Sequence, residues 1–263
     1  LAVSERVNNQ QSNSPKFRVL LLGGTAEAFA LANKLAALSF DIISSLAGRT
    51  QNPKLPNTQT RIGGFGGVIG LKNYLTEQKF DYVIDATHPF AKKITENAIN
   101  ATKELAIPLL RLERKAWQPQ AGDHWTFVNS EAEAASLLKP KSNCFLALGK
   151  QHISPFANRN DVNFIARMLE PADSAKKFNS IVQVIAKPTN SHDELRFLQK
   201  YQIDTIVCRN SGGKQSYQKL IAARYLALPV IMIQRAALPE IVTVETVEEA
   251  KRYLLDTRNR LKT

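Results

Sequence analysis

The run "RVLLLGGTAEAFAL" at residues 18–31 sets an apolar strand against a pair of glycines and then a helix-like pattern. A strand that stops at Gly23 and Gly24 and opens a helix aims backbone N–H groups and the positive helix end at an anion. Thr25 adds a hydroxyl, and the glycines allow a phosphate to approach the main chain. The turn lacks the three-glycine spacing G-x-G-x-x-G, because Thr25, Ala26, Glu27 and Ala28 follow the pair. The same pattern also serves as a tight strand-to-helix turn with no ligand, so its neighbours must decide.

Working outward, short apolar strands alternate with helix-like segments, the pattern of a parallel α/β sheet. Strands are expected at 17–22, 42–46, 82–85, 108–112, 144–148, 181–186, 205–208 and 229–233, and helices at 26–38, 69–78, 91–106, 192–201 and 215–227. The chain also repeats itself. "FDYVIDATHPFAKKITENAINATKELAIPLLRLER" (80–114) parallels "IDTIVCRNSGGKQSYQKLIAARYLALPVIMIQR" (203–235), each passing from Asp through a strand, polar loop and helix to a second strand ending in Arg. "WTFVNSEAEAASLL" and "EIVTVETVEEAKRYLL" continue the match as strand plus helix, and "LLLGG" and "LALGK" open the two halves. Two similar α/β lobes with parallel sheets are expected, residues 16–135 and 136–263, with the ligand cleft between them. Residues 1–15 are polar and patternless and read as a disordered leader.

The 263 residues hold 44% hydrophobic residues, enough for a sizeable core, and no uncharged apolar run of membrane-spanning length. Cys144 and Cys208 form no C-x-x-C, and the four histidines show no metal-ligand spacing, so no metal centre is expected. A cytoplasmic location is the default. The net charge of +12 suits nucleic acid, a membrane surface, a small polyanion or simply a solvated basic surface. The cations are interleaved with acids, which argues against a nucleic-acid tail and leaves a basic cleft open.

In "DIISSLAGRT" (41–50), the second strand ends where a dinucleotide fold places an acid for the ribose 2′-OH of NAD. Ser44, Ser45 and Arg49 stand there instead, a set suited to the 2′-phosphate of NADPH, unless Arg49 is only a loop residue. "RIGGFGG" (61–67) surrounds Phe65 with Gly63, Gly64, Gly66 and Gly67, either a loop pressed against a cofactor or a plain turn. "VIDATHPFAKKI" (83–94) presents Thr87, His88 and Pro89 at a strand end. Pro at a first helical position would make Thr87 or His88 a cap, while the strand end favours ligand chemistry. "CRNSGGKQSYQKL" (208–220) offers a second anion site through Asn210, Ser211, Gly212 and Gly213, with Arg209, Lys214 and Lys219 adding charge.

Taken together, "LLLGGTAEA", "SLAGRT", "RIGGFGG", "GLKNYL", "DATHPFA", "PLLRLERKAW", "LALGKQ", "RNSGG" and "LPVIMIQR" resemble, in order, the motifs of precorrin-6A reductases of cobalamin biosynthesis. The resemblance runs from about residue 17 to 254 and implies a two-lobed, Rossmann-like enzyme. Such an enzyme uses NADPH, or NADH in some members, to reduce one double bond of precorrin-6A to precorrin-6B. It implies a cofactor site of Gly23, Gly24, Thr25, Glu27, Ser44, Ser45, Arg49, Gly63, Gly64, Phe65, Gly66, Thr87 and Pro89. Arg111, Arg114, Lys150, Arg209 and Lys219 become the expected partners of the tetrapyrrole's carboxylates, along with Asn210, Ser211, Gly212 and Gly213. His88 is the candidate proton donor. Arg209 stands where the family motif has lysine, and Lys115 where proline is expected. The partner is a small tetrapyrrole, with no nucleic acid or membrane, and the protein is expected as a monomer or weak homo-oligomer. Another NADP-dependent reductase of a small anionic substrate, or a non-catalytic nucleotide-binding protein, would share the glycine loops.

Overall fold

Leu20, Leu21 and Leu22 are all buried, because the first strand is covered on both faces and needs no polar side. The computed structural model describes residues 17–38, 40–48 and 54–260. The leader expected at 1–15 lies outside these residues. Among the described residues two compact units emerge, one within 17–87, 93–112 and 240–260, the other of 88–92 and 113–239.

The first unit contains β1 (Arg18–Leu22), α1 (Ala26–Ala36), β2 (Asp41–Leu46), β3 (Gln59–Ile62), α2 (Gly67–Glu77), β4 (Tyr82–Asp85), α3 (Lys92–Leu105) and β5 (Leu109–Leu112). The second contains β6 (His124–Val128), α4 (Glu131–Ser136), β7 (Asn143–Ala147), β8 (Asn163–Met168), β9 (Ile181–Ile185), α5 (Ser191–Lys200), β10 (Thr205–Arg209), α6 (Lys214–Tyr225) and β11 (Pro229–Ile233). The chain then returns to the first unit with β12 (Thr243–Val244) and α7 (Val247–Arg260).

Both sheets have six strands, ordered β12-β5-β4-β1-β2-β3 and β6-β11-β10-β7-β8-β9, and every pairing is parallel. The two orders correspond strand for strand, as the repeat implied. Each is the doubly wound order of a dinucleotide-binding sheet. The repeats have exchanged their last pieces: β6 and α4 follow β5 in sequence yet edge the second sheet, and β12 and α7 follow β11 yet edge the first. Both exchanged helices open with a capping pair. The Glu133 N–H donates to the Ser130 hydroxyl and the Glu249 N–H to the Thr246 hydroxyl. The chain therefore changes unit at 87/88, 92/93, 112/113 and 239/240, where a single division at 135/136 was expected from sequence. Val128, Ala134 and Ala135 lie in the second unit's core, whereas Ala250 and Leu254 lie in the first unit's.

β3 and β8 are strands the sequence pattern did not show. β3 is a polar edge strand, and β8 is interrupted by Arg167, which is paired with buried Glu194 at 2.8 Å. No helix among the described residues is long and apolar enough to cross a membrane.

Candidate functional site

In the first sheet the chain winds outward from β1 to β2 and β3, and from β4 the other way. The C-terminal ends of β1 and β4 thus flank the switch point where such sheets take ligands. Leu22 stands opposite Ser45 on one side and Asp85 on the other. Beyond it, the Gly23 N–H donates to the Ser45 carbonyl and the Ala86 N–H to the Leu22 carbonyl, both at 2.9 Å. Gly24 has φ +106°, and a Cβ built on it meets nothing within 4 Å, so the turn opens onto free space. Thr25 caps α1 by accepting from the Ala28 N–H at 3.1 Å, while its hydroxyl donates to the Ala86 carbonyl at 2.8 Å. That corrects the reading of Thr25 as a phosphate donor: its single proton ties the glycine turn to β4. Glu27 lies in the first turn of α1.

Asp85 is fully buried and accepts four hydrogen bonds. Oδ1 takes the Thr87 N–H at 3.0 Å and hydroxyl at 2.7 Å, and Oδ2 takes the Thr95 hydroxyl at 2.7 Å and Arg111 Nη1 at 2.6 Å. Arg111, only 2% exposed, is therefore a structural counter-ion of Asp85 and not a partner for substrate carboxylates. The Thr87 hydroxyl is likewise committed to Asp85. Ser44 bonds Thr58 at 2.8 Å, and Ser45 accepts from Arg61 at 2.9 Å, whose guanidinium lies 3.9 Å over Phe65 beside Gly63, Gly64 and Gly66. Arg49 lies outside the described residues.

The second unit gathers a basic cluster about His88. Pro89 is buried in a turn closed by the Ala91 N–H on the His88 carbonyl at 2.7 Å. α3 starts later, at Lys92, so neither Thr87 nor His88 is its cap. The Phe90 N–H donates to His88 Nδ1 at 3.2 Å, which leaves the ring proton on Nε2. Burial first, then Arg209, Arg114, Arg235 and His152, push the His88 pKa down to about 3. The imidazole is neutral at ordinary pH and carries its proton on Nε2.

The shift has a consequence for stability. The unfolded chain takes up a proton on His88 near pH 6.5, while the folded protein refuses it until about pH 3. Stability is thus lost as pH falls through that window and is unaffected by His88 above it. Between pH 7 and 5 the wild type should lose about 2 kcal/mol more than His88→Asn. Parallel stability–pH curves from chemical denaturation would contradict this.

Arg209 Nη1 donates to His152 Nε2 at 2.9 Å, and His152 Nδ1 in turn donates to Glu131 at 3.0 Å. That contact holds the Glu131 pKa down. The Arg209 guanidinium lies 4.9 Å over the Phe90 ring. Arg114 donates from Nε to the Ser211 carbonyl at 2.6 Å, and Arg235 donates to the Asn210 carbonyl at 2.9 Å and to Glu113 at 2.5 Å. His152, Glu131 and Arg235 were not singled out by sequence. The repeat held a signal for Arg235, since both copies end their second strand in Arg. His152 and Glu131 have no local signature, because their partner Arg209 is distant in sequence.

Several expected substrate contacts prove structural. The Asn210 side chain pairs with both backbone groups of Trp117, at 2.7 and 3.0 Å. Gly212, at φ +74°, is required because an added Cβ would lie 2.0 Å from the Lys115 carbonyl oxygen. Lys219 is buried, donates to the Ser216 carbonyl and lies 5.0 Å over Trp117, and burial lowers its pKa. Lys150 is paired with Glu170 at 2.6 Å. Gly213 precedes α6 and packs against the Arg114 guanidinium. Arg209 and Arg114 are the expected carboxylate partners that the structure does bring together.

A family model described as "Precorrin-6x reductase CbiJ/CobK" matches residues 18–255. The chain belongs to this family. It is 42% identical over 234 residues to a precorrin-6A reductase of Rhodococcus erythropolis, covering 88% of this chain and 94% of that one. It is 41% identical over 241 residues to the Rhodobacter capsulatus precorrin-6A reductase, covering 91% and 96%. A cobalt-precorrin-6A reductase of Priestia megaterium is 28% identical over 251 residues, covering 90% and 98%. A solved structure, "CobK precorrin-6A reductase", superposes with a TM-score of 0.86 at 41% identity, covering 91% of this chain and 96% of that one. The reductase family thus spans both units and the exchanged strand–helix pieces.

Proposed function

We propose that this protein reduces one double bond of precorrin-6A, giving precorrin-6B in cobalamin biosynthesis, with NADPH as reductant. The observation that carries the reading is the glycine turn at the β1/β4 switch point. Gly24 leaves open space in front of the α1 N-terminus, as a dinucleotide pyrophosphate requires. No carboxylate stands at the end of β2, where Ser44 and Ser45 lie, which favours NADPH over NADH. A reduced nicotinamide supplies the hydride; the protein binds, orients and excludes water.

In the second unit, Arg209 and Arg114 would pair with the acetate and propionate carboxylates of the macrocycle. His152 and Glu131 hold the Arg209 guanidinium in one orientation. Carboxylates bound among these arginines would offset their effect on His88 and raise its pKa, leaving burial as the opposing influence. His88 would then be able to carry the proton that accompanies hydride addition. The higher identity to precorrin-6A than to cobalt-precorrin-6A reductases favours the metal-free macrocycle.

Anaerobic incubation with precorrin-6A and NADPH tests the activity: loss of reduced-cofactor absorbance only when protein and macrocycle are both present supports it, and no loss rejects it. Arg209→Ala should lower kcat/KM for the macrocycle about ten- to a hundredfold, the worth of one charge-assisted hydrogen bond. Arg209→Lys should recover part of the loss, through charge without the planar fork. Unchanged kcat/KM in Arg209→Ala would remove this residue from substrate binding.

A further inference from the structure

Beside the glycine turn, the same end of the first sheet holds Arg61, which opens the RIGGFGG run and was given no role from sequence. Ser45 and Arg61 are paired in register on the adjacent parallel strands β2 and β3. Arg61 Nη1 donates to the Ser45 hydroxyl at 2.9 Å and to the Gly63 carbonyl at 3.0 Å, and Nη2 donates to the Gly64 carbonyl at 3.1 Å. Its plane is held over Phe65 at 3.9 Å and Tyr74 at 5.0 Å. These contacts orient the guanidinium without neutralising it, because every acceptor is an uncharged oxygen. In the same unit, Arg18 and Arg111 each pair with a carboxylate, Asp41 and Asp85. Arg61 makes no ion pair among the described residues.

Three of the five guanidinium N–H groups are used in this way, which leaves a charged edge with donors for one more acceptor. Ser45 accepts from Arg61, so its own proton can serve the same acceptor, whereas the Ser44 hydroxyl is engaged with Thr58. The Ser45 carbonyl meanwhile holds the Gly23 N–H, so the pair is wired to the phosphate turn. Added Cβ atoms on Gly63 and Gly64 meet nothing within 4 Å, so the loop that Arg61 braces faces open space. In a doubly wound sheet this position, at the end of the second strand, faces the 2′ position of the adenosine ribose.

We propose that Arg61, aligned by Ser45 and stacked on Phe65, receives the 2′-phosphate of NADPH and sets the preference for NADPH over NADH. The assignment rests on the nicotinamide reading above. It attributes specificity to a residue on β3, one strand beyond the position at which dinucleotide-binding sheets usually read the ribose.

Calorimetric titration with NADPH, NADH and adenosine 2′,5′-bisphosphate tests it on the wild type, Arg61→Gln and Arg61→Lys. Arg61→Gln should weaken NADPH and the bisphosphate about ten- to a hundredfold while changing NADH only about two- to threefold. Arg61→Lys should restore part of the lost selectivity. An arginine that only braces the loop would cost both cofactors equally, and an unchanged NADPH-to-NADH ratio in Arg61→Gln overturns the assignment. Wild-type protein that binds both cofactors equally overturns it while leaving the nicotinamide reading intact. Wild-type protein that binds neither overturns both.

Discussion

Gly24→Val is expected to leave a folded protein that has lost nicotinamide-nucleotide binding by at least about a hundredfold, the worth of two charge-assisted hydrogen bonds to phosphate. Two effects act together. The first is steric: the space a Cβ would enter is empty, so nothing in the protein moves aside and the branched side chain would fill the position proposed for the phosphate. The second is conformational, since φ is +106° and a β-branched residue there is strained by about 1–3 kcal/mol. Gly24→Ala separates the two, carrying most of the strain with less obstruction. It should bind more tightly than Gly24→Val at a similar thermal midpoint. A folded Gly24→Val protein with wild-type affinity for NADPH would mean that the turn only joins a strand to a helix.

Asp85→Asn should be the most destabilising single change, by about 3–5 kcal/mol, because it leaves the buried Arg111 charge without its carboxylate. Asp85 is wholly buried and Arg111 nearly so, so water cannot replace the lost partner. Thr87 and Thr95 would also lose the charged acceptor that organises the end of β4. The double variant Asp85→Asn/Arg111→Gln removes both charges and should be more stable than Asp85→Asn alone. Denaturation of the three variants gives the comparison. A loss below about 1 kcal/mol in Asp85→Asn would show that the pair is solvated.

Arg111 also shows how far the sequence could be read. "PLLRL" announced a strand, but β5 has neighbours on both sides and helices over both faces, so a cation there needs a buried partner. Asp85, the register partner of Arg111 on β4, was in view as a strand end. Assigning Arg111 to substrate overlooked that constraint. The repeat was legible because equivalent strands and helices obey the same local pattern, and it correctly implied two sheets of one topology. The exchange of β6–α4 and β12–α7 was not legible. A local pattern states that a strand forms, and only long-range packing decides which sheet it joins.

The turn at 23–24 was legible as a strand-to-helix turn because a glycine pair ends an apolar run there, and Gly24 takes the positive φ that glycine permits. Arg61 was quoted as the first residue of RIGGFGG, but an arginine beside a glycine run has no assignable role until Ser45 is seen opposite it. His152 looked isolated for the same reason, although it holds Arg209 across a large sequence separation. Asn210 and Gly212 were assigned to substrate from sequence, whereas the constraints visible on them come from the Trp117 and Lys115 backbones.

Isotope transfer follows the hydride itself. Stoichiometric NADPH carrying deuterium at the transferable nicotinamide position is incubated anaerobically with precorrin-6A and the wild-type protein, and the macrocycle is examined by mass spectrometry. The expected outcome is a reduced product with a single deuterium on a ring carbon, formed at a rate that falls in Arg209→Ala and vanishes in Gly24→Val. Reduced macrocycle without label, or labelled cofactor recovered intact beside unreacted precorrin-6A, would contradict it.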